Sequence, residues 1–326
     1  MRIFSGIRPT GELHIGNYIG AIKQWIDFQE KNECIYSIVD LHAITTPYDH
    51  KNLQKIIFNQ AVSYISLGTD PNKCILYVQS HVKEHTELAW LLGTITPLGD
   101  LQRMTQFKEK SKKHNKYINA GLLNYPILMT ADILAYQTEI VPVGEDQKQH
   151  VELARNVAKK FNNHFGETFK IPNSKMSETG AKIMSLSDPK SKMSKTGPSQ
   201  GCIDLFEDPL SIRKKIMSAV TDTEKNIKYN PLKKPGISNL LVIYSSFKGI
   251  SIKEAESEFK GQSYAQFKTK VADTLVSSLE PFRRKKKELE LREVYVWEIL
   301  NQGAKRAEII AQSTLLNVKK KMGLIK

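Results

Sequence analysis

The sequence predicts an α/β protein: a Rossmann-like parallel sheet in the first part of the chain, followed by a helical domain. Two observations carry this. Near-continuous apolar runs of strand length, such as "CIYSIVD" (34–40) and "CILYVQ" (74–79), alternate with stretches of helical period. Runs of that kind belong to strands covered on both faces, and their alternation with helices implies parallel crossovers. The strand signals then fade after about residue 205, where capped helical patterns take over. At roughly 150 residues per domain, 326 residues suggest about two domains. We place a Rossmann-like catalytic domain at 1–204 and a helical domain at 205–326, whose last helix, about 295–326, is able to pack back on the first domain.

Each element has a local reason. "RIFSGI" is a short apolar run ending at Gly6. Ile15, Ile19, Ile22 and Ile26 then recur at spacings of four, three and four, a helix period. A second helical pattern carries Leu53, Ile56, Ile57, Tyr64 and Ile65. "EIVPVG" (139–144) is a further strand, and the helix after it aligns Val151, Ala154, Ala158 and Phe161. In the second part, Asp208 followed by Pro209 reads as an N-cap and first helical position. "PGISNLLVIYSSF", "SIKEAESEFKG" and the run from Tyr264 onward read as further helices, with a strongly charged face at 282–293.

Composition narrows the chemistry. Lys+Arg is 48 against Asp+Glu 34, a formal net charge of +14. The excess suits a polyanion such as nucleic acid, although Lys-rich usage can also be a habit of composition. Cys34, Cys74 and Cys202 are odd in number and far apart, with no Cys-x-x-Cys. That argues against a disulfide scaffold, a structural zinc or an iron–sulfur cluster, and fits a reducing compartment. The N-terminal "MRIFSGIRPTG" lacks a signal-peptide apolar run, and no stretch reaches the ~18 apolar residues of a membrane span. The expectation is a cytoplasmic protein without a membrane partner.

"PTGELHIGNYIGA" (9–21) lies where the first strand gives way to the first helix. Unpaired N–H groups and the helix dipole favour phosphates there, and Gly16 would let a nucleotide lie against the backbone. His14 and Asn17 present polar groups on one side of that turn. The plainer reading is an ordinary helix start with Asn17 as N-cap. A second polar stretch, "SDPKSKMSKTGPSQ" (187–200), sets Lys192 and Lys195 around Met193 and Ser194.

These segments resemble a known family. "HIGN" (14–17) and "KMSKT" (192–196) resemble the two signatures of class I aminoacyl-tRNA synthetases. "GIRPTGELHIGNYIGA" (6–21) and "GEDQKQHVELARN" (144–156) resemble its tryptophanyl branch. The resemblance implies activation of L-tryptophan by ATP to an adenylate, with loss of pyrophosphate, then transfer to the 3′ end of tRNA(Trp). It also implies a homodimer. Mg²⁺ would accompany ATP, held mainly by phosphates and water, so no protein metal cluster is needed.

The implied site residues follow position by position. His14, Asn17, Lys192 and Lys195 would act on the reacting phosphates. Arg8, Pro9, Thr10, Gly16, Lys110, Gly144, Glu145, Asp146, Ile183, Met193, Ser194 and Thr196 would complete the ATP site. Arg8 stands where some members carry Gln, and Thr196 where a serine is usual. Asp132 would accept the indole N–H, a group that only donates. Tyr125, Met129, Gln147 and Phe4, with Val143, would surround the ring. Out of this context, each of these is equally a core or surface residue. "SKMSETG" (174–180) also holds Lys-Met-Ser, but Glu178 replaces the second lysine, so it is set aside.

Three other readings stay open: the sister tyrosyl enzyme, a small nucleotidyltransferase with a His-Gly motif, and a silent RNA-binding paralogue. Intact Lys192, Lys195 and Asp132 weigh against the last. The basic 282–293 helix suits tRNA backbone, while Tyr295 and Trp297 are expected in core packing rather than on bases.

Overall fold

A computed structural model describes residues 1–9, 13–108, 118–176, 183–194 and 198–326. By packing, the chain divides into two compact units. One comprises Met1–Gly11, Trp25–Glu178 and Arg292–Lys326, the other Glu12–Gln24 and Thr179–Leu291.

The first unit is built on a five-stranded sheet. Its strands are β1 (Arg2–Ile7), β2 (Glu33–Ile38), β3 (Cys74–Val78), β4 (Ile140–Val143) and β5 (Asn173–Met176). They lie in the order β3-β2-β1-β4-β5, and every pairing is parallel. Ile35, Tyr36, Leu76 and Tyr77 are buried, which is why β2 and β3 read as continuous apolar runs. β1 and β4 are neighbours in the sheet but distant in sequence, so strand order reverses direction at β1. Open α/β sheets bind ligands beyond the carboxyl ends of the strands at such a switch point. Here those ends run into Arg8 and into Gly144.

β5 was not visible in the sequence. "NSKM" is polar because β5 pairs only with β4 at the edge of the sheet and Asn173 is exposed. Lys175 lies on this strand, its ammonium 5.1 Å from the centre of the Phe28 ring. The set-aside Lys-Met-Ser thus begins in sheet structure; its residues 177–182 lie outside the described residues.

The helical run that opens at Ile15 begins as α1 (Ile15–Asn17) and widens into a π-helical turn at Tyr18–Ile22. The first unit adds α2 (Leu53–Ser66), α3 (Glu84–Gly93), α4 (Ala120–Leu134) and α5 (Lys148–Phe165). Val151, Ala154, Ala158 and Phe161 of α5 are buried, as their spacing predicts. The second unit holds α6 (Pro209–Met217), α7 (Pro235–Lys248), α8 (Ile252–Glu258) and α9 (Tyr264–Glu290). Asp208 caps α6 by accepting from Leu210 N and Ser211 N, with Pro209 opening the helix.

The packing units do not follow a boundary at 204. Residues 183–205 belong with the helices because their backbone is tied to them: Val220 N donates to Leu186 O at 2.8 Å. The last helix, α10 (Glu293–Lys321), belongs to the first unit and packs on β3. Contact is so close that a Cβ added at Gly303 would lie 1.9 Å from Leu76 O. Cys34, Cys74 and Cys202 are buried free thiols. Among the described residues, no helix is long and apolar enough to cross a membrane.

Candidate active site

In the first unit, α4 builds the aromatic-recognition end. Tyr125, Met129 and Asp132 fall four and three residues apart, so they share one face of the helix. Asp132 is 1% exposed. Its Oδ2 lies 2.7 Å from His42 Nε2, on the one-turn helix Asp40–Ala43. Its Oδ1 accepts from Gln79 Nε2 at 2.7 Å and lies 2.7 Å from His85 Nδ1. Burial by itself would raise the carboxyl pKa. The facing His85 and His42 outweigh it and hold the group well below the usual carboxylate range. A carboxylate has about four lone-pair positions, and the two hydrogen bonds here, Gln79 on Oδ1 and His42 on Oδ2, leave capacity for a further donor.

The remaining residues of this end are close at hand in the chain's own packing. The Tyr125 hydroxyl meets His150 Nε2 at 2.9 Å, and its ring stands edge-on to His42, centroids 6.1 Å apart. Phe4 is a buried core ring stacked on Tyr136 at 5.7 Å. Met129 and Val143 pack, partly buried, against the same core. Gly144 starts the turn Glu145–Gln147 at the end of β4, and Gln147 N closes it on Gly144 O at 3.0 Å. Glu145 is exposed and Gln147 half-buried. Arg8 is half-buried beyond β1; its carbonyl accepts from Gln60 Nε2 at 3.2 Å, and Pro9 beside it is buried.

His42, Gln79, His85 and His150 escaped the sequence reading. His150 lies inside "GEDQKQHVELARN" but was given no role there, and the other three sit in no motif; three of the four are buried histidines that only the fold brings to Asp132 or Tyr125. The one available signal was the number of His and Gln near strand ends, which is no signal without the topology.

The second unit carries the turns that hold His14 and Lys192. His14, not Asn17, is the N-cap: its Nδ1 accepts from Gly16 N at 3.1 Å. Asn17 closes the box in reverse, its Oδ1 accepting from His14 N at 3.0 Å. An accepting Nδ1 places the ring proton of neutral His14 on Nε2. Gly16 is needed for this fold-back, since a Cβ there would meet the imidazole at 2.9 Å. The turn is pinned from behind by Ile15 N to Ile203 O at 3.1 Å and Leu205 N to Leu13 O at 3.0 Å.

Residues 183–193 fold into a small antiparallel ladder. Met193 N donates to Ile183 O and Ser185 N to Ser191 O, both at 2.9 Å. Asn239 on α7 grips the ladder from both sides, accepting from Met184 N at 2.9 Å and donating to Met184 O at 2.8 Å. The buried Met193 anchors the strand, which leaves the Lys192 and Ser194 side chains exposed. Ile183 is buried and its carbonyl is already engaged, so any adenine contact uses its remaining backbone capacity. Thr10, Lys110, Lys195 and Thr196 lie outside the described residues, as does the Asp146 side chain.

The basic helix is less uniform than its sequence. Arg283 is buried, paired with Glu280 and donating to Val276 O at 2.8 Å, and Lys286 lies over the Phe206 ring at 4.4 Å. Arg284, Lys285 and Lys287 are exposed. Tyr295, expected in the core, is 43% exposed under Arg292. A helix end beginning at Glu293 has too few neighbours to cover it. Trp297 is half-buried against Phe58.

A five-stranded parallel α/β sheet in a chain that also carries the "HIGN" and "KMSKT" segments is the architecture of a class I aminoacyl-tRNA synthetase. Residues 1–280 match the family described as "tRNA synthetases class I (W and Y)", and the chain belongs to that family. It is 50% identical over 325 residues to the tryptophan–tRNA ligase of Caldanaerobacter subterraneus subsp. tengcongensis, covering 99% of this chain and 98% of that one. The tryptophan–tRNA ligase of Wolinella succinogenes is 48% identical, with 99% of both chains covered. Among solved structures, Campylobacter jejuni tryptophanyl-tRNA synthetase, complexed with ADP and tryptophan, superposes with a TM-score of 0.84 at 37% identity. That match covers 99% of this chain and 100% of the other.

Proposed function

We infer that this chain is a tryptophan–tRNA ligase. It activates L-tryptophan with ATP to tryptophanyl-adenylate and pyrophosphate, then transfers tryptophan to the 3′ end of tRNA(Trp). The observation that carries the choice of amino acid is Asp132, a buried ionised carboxylate with acceptor capacity beyond its bonds to His42 and Gln79. Tryptophan offers the complementary single donor, the indole N–H. An amino acid without that donor leaves the carboxylate short of a partner, the kind of defect that rejects analogues strongly.

The first step needs no general base, because the attacking tryptophan carboxylate is ionised at neutral pH. Rate comes from alignment and from stabilising charge on the α-phosphate and the leaving pyrophosphate. We assign Asp132 to the indole N–H, with Tyr125, Met129, Gln147, Phe4 and Val143 around the amino acid. Gly144, Glu145 and Asp146 at the end of β4 suit the ribose, and Arg8, Pro9, Thr10, Gly16 and Ile183 the nucleotide. His14 Nε2–H and Asn17 act on the phosphates. Lys192, Lys195 and Lys110 add cationic charge there, and Met193, Ser194 and Thr196 complete the loop. Mg²⁺ would come with ATP, held mainly by its phosphates and water, and would supply charge neutralisation there.

The helical part, 205–326, is assigned to the anticodon end of tRNA, with Arg284, Lys285 and Lys287 available for backbone contact. A homodimer is supported by large apolar side chains left exposed on the first unit, Trp90 at 76% and Leu98 at 58%. Three buried free thiols suit a reducing, cytoplasmic setting.

The test is exchange of labelled pyrophosphate into ATP with each of the twenty amino acids. Exchange with tryptophan alone is expected. Exchange with tyrosine would keep the nucleotide assignment and overturn Asp132. No exchange with any amino acid would point to a silent paralogue.

A further inference from the structure

We propose that Lys215 is a positioning residue for amino-acid activation: with Glu207 it fixes the strand of backbone that holds His14 in place for the phosphates. The proposal rests on the reading of His14 given above, and all its residues lie in the second unit. His14 stands opposite Asp204 in an isolated antiparallel bridge. Two bonds frame that pair, from Ile15 N to Ile203 O at 3.1 Å and from Leu205 N to Leu13 O at 3.0 Å. The placement of His14 is therefore set by whatever fixes residues 202–205. In a pair framed this way the N–H of the bridged residue points away from its partner strand. The Asp204 N–H accordingly donates to Glu207 Oε2 at 3.0 Å. One residue before the frame, Cys202 O accepts from Lys215 Nζ at 2.7 Å. The same ammonium pairs with Glu207 Oε1, which also accepts from the Ser211 hydroxyl.

Glu207, Ser211 and Lys215 are spaced by four, so the carboxylate lies over the face of α6 that carries the other two. A single ion pair on a rigid helix thus holds the strand at two points, the carbonyl of 202 and the amide of 204. The Glu207 side chain is 13% exposed and that of Lys215 17%, so water replaces a lost partner poorly. Without the ammonium, Cys202 O and Glu207 lose the donor they share, and the strand that frames His14 is held at one point instead of two. A group that stabilises developing charge depends steeply on position: a misplacement of about 1 Å costs about 100-fold in rate. Outer partners that orient an acting group commonly matter in this way.

The experiment is a double-mutant cycle read by tryptophan-dependent pyrophosphate exchange, with tryptophan binding and urea unfolding measured on the same preparations. Lys215→Met keeps the aliphatic stem and removes the cation. It is expected to lower kcat about 10- to 100-fold and to leave the Kd for tryptophan within about twofold. Lys215→Arg keeps charge and donors and is expected to restore most of the rate. His14→Asn keeps a side chain suited to the N-cap but lacks Nε2–H. In that background Lys215→Met is expected to lower kcat by less than about threefold, because the group it positions is gone. Glu207→Gln, which still offers an acceptor to Asp204 N–H, is expected to show a smaller loss with the same dependence on His14, and serves if Lys215→Met does not fold. The same fold loss with and without His14, no rescue by Lys215→Arg, or lower stability with kcat retained would make Lys215 a packing residue and overturn the proposal. His14→Asn separates the two ideas. If it leaves exchange intact, the reading of His14 has failed and the proposal with it; if it slows exchange while Lys215→Met and Glu207→Gln do not, only the role of Lys215 falls. Absence of exchange in the wild-type protein would overturn the ligase reading as well.

Discussion

Asp132→Asn should cost far more in tryptophan affinity than in stability. The amide keeps one carbonyl oxygen and converts the other to NH₂. Oδ1 accepts from Gln79, whose amide nitrogen only donates, so the carbonyl is best kept there. The NH₂ then takes the place of Oδ2, opposite His42 Nε2 at 2.7 Å. His42 can relieve this conflict by moving its proton to the other nitrogen and accepting instead. The fold thus trades charged for neutral hydrogen bonds and should lose only about 1–2 kcal/mol. Substrate has no such escape. The indole N–H would face an N–H where it needs a lone pair, losing a charge-assisted bond of about 1.5–3 kcal/mol and gaining a donor–donor conflict. At about 1.4 kcal/mol per tenfold, KM for tryptophan should rise about 100-fold or more. Urea unfolding and tryptophan-dependent pyrophosphate exchange on the same preparation measure the two effects. A KM within about five-fold of wild type, with the protein folded, would refute the reasoning.

Other expectations follow from the same contacts. Lys195→Ala should slow activation about 10²–10³-fold while tryptophan binding, read by fluorescence or calorimetry, persists; unchanged activation would remove that lysine from the chemistry. Asn239→Ala frees both backbone groups of Met184 and should raise KM for ATP several-fold with little change for tryptophan, checked by varying each substrate in the exchange assay. Gly303→Ala gains helix propensity of about 1 kcal/mol but places a methyl 1.9 Å from Leu76 O, so urea unfolding should show a net loss of about 2 kcal/mol or more. The Asp132 carboxyl titrates below its unfolded value, so its stabilisation is complete above about pH 4 and is lost as pH falls further. Wild-type stability should therefore drop more steeply in acid than that of Asp132→Asn, measured by urea unfolding across that range.

Much of the protein was legible along the chain, because its signals are local. Apolar runs named β1 to β4, the 3.6-residue period named the helices at Ile15, α2 and α5 but not α3 or α4, and Asp208–Pro209 named the start of α6. "HIGN" and "KMSKT" are legible for the same reason: each is a run of consecutive residues. Tyr125, Met129 and Asp132 were named by the resemblance alone, and the folded helix α4 sets them on one face. Tertiary structure alone decided the rest. β5 is polar and exists through its pairing with β4. The grouping of residues 183–205 with the helices depends on hydrogen bonds from Val220 and Asn239. Above all, the ionised state of Asp132 depends on His42, Gln79 and His85, which lie 90, 53 and 47 positions away in sequence (132 less 42, 79 and 85) and meet it only in the folded sheet. The sequence by itself determined that a carboxylate stands on that helix face. Folding decided which of its lone pairs are taken, because burial favours partnered polar atoms and only the packed neighbours can supply the partners.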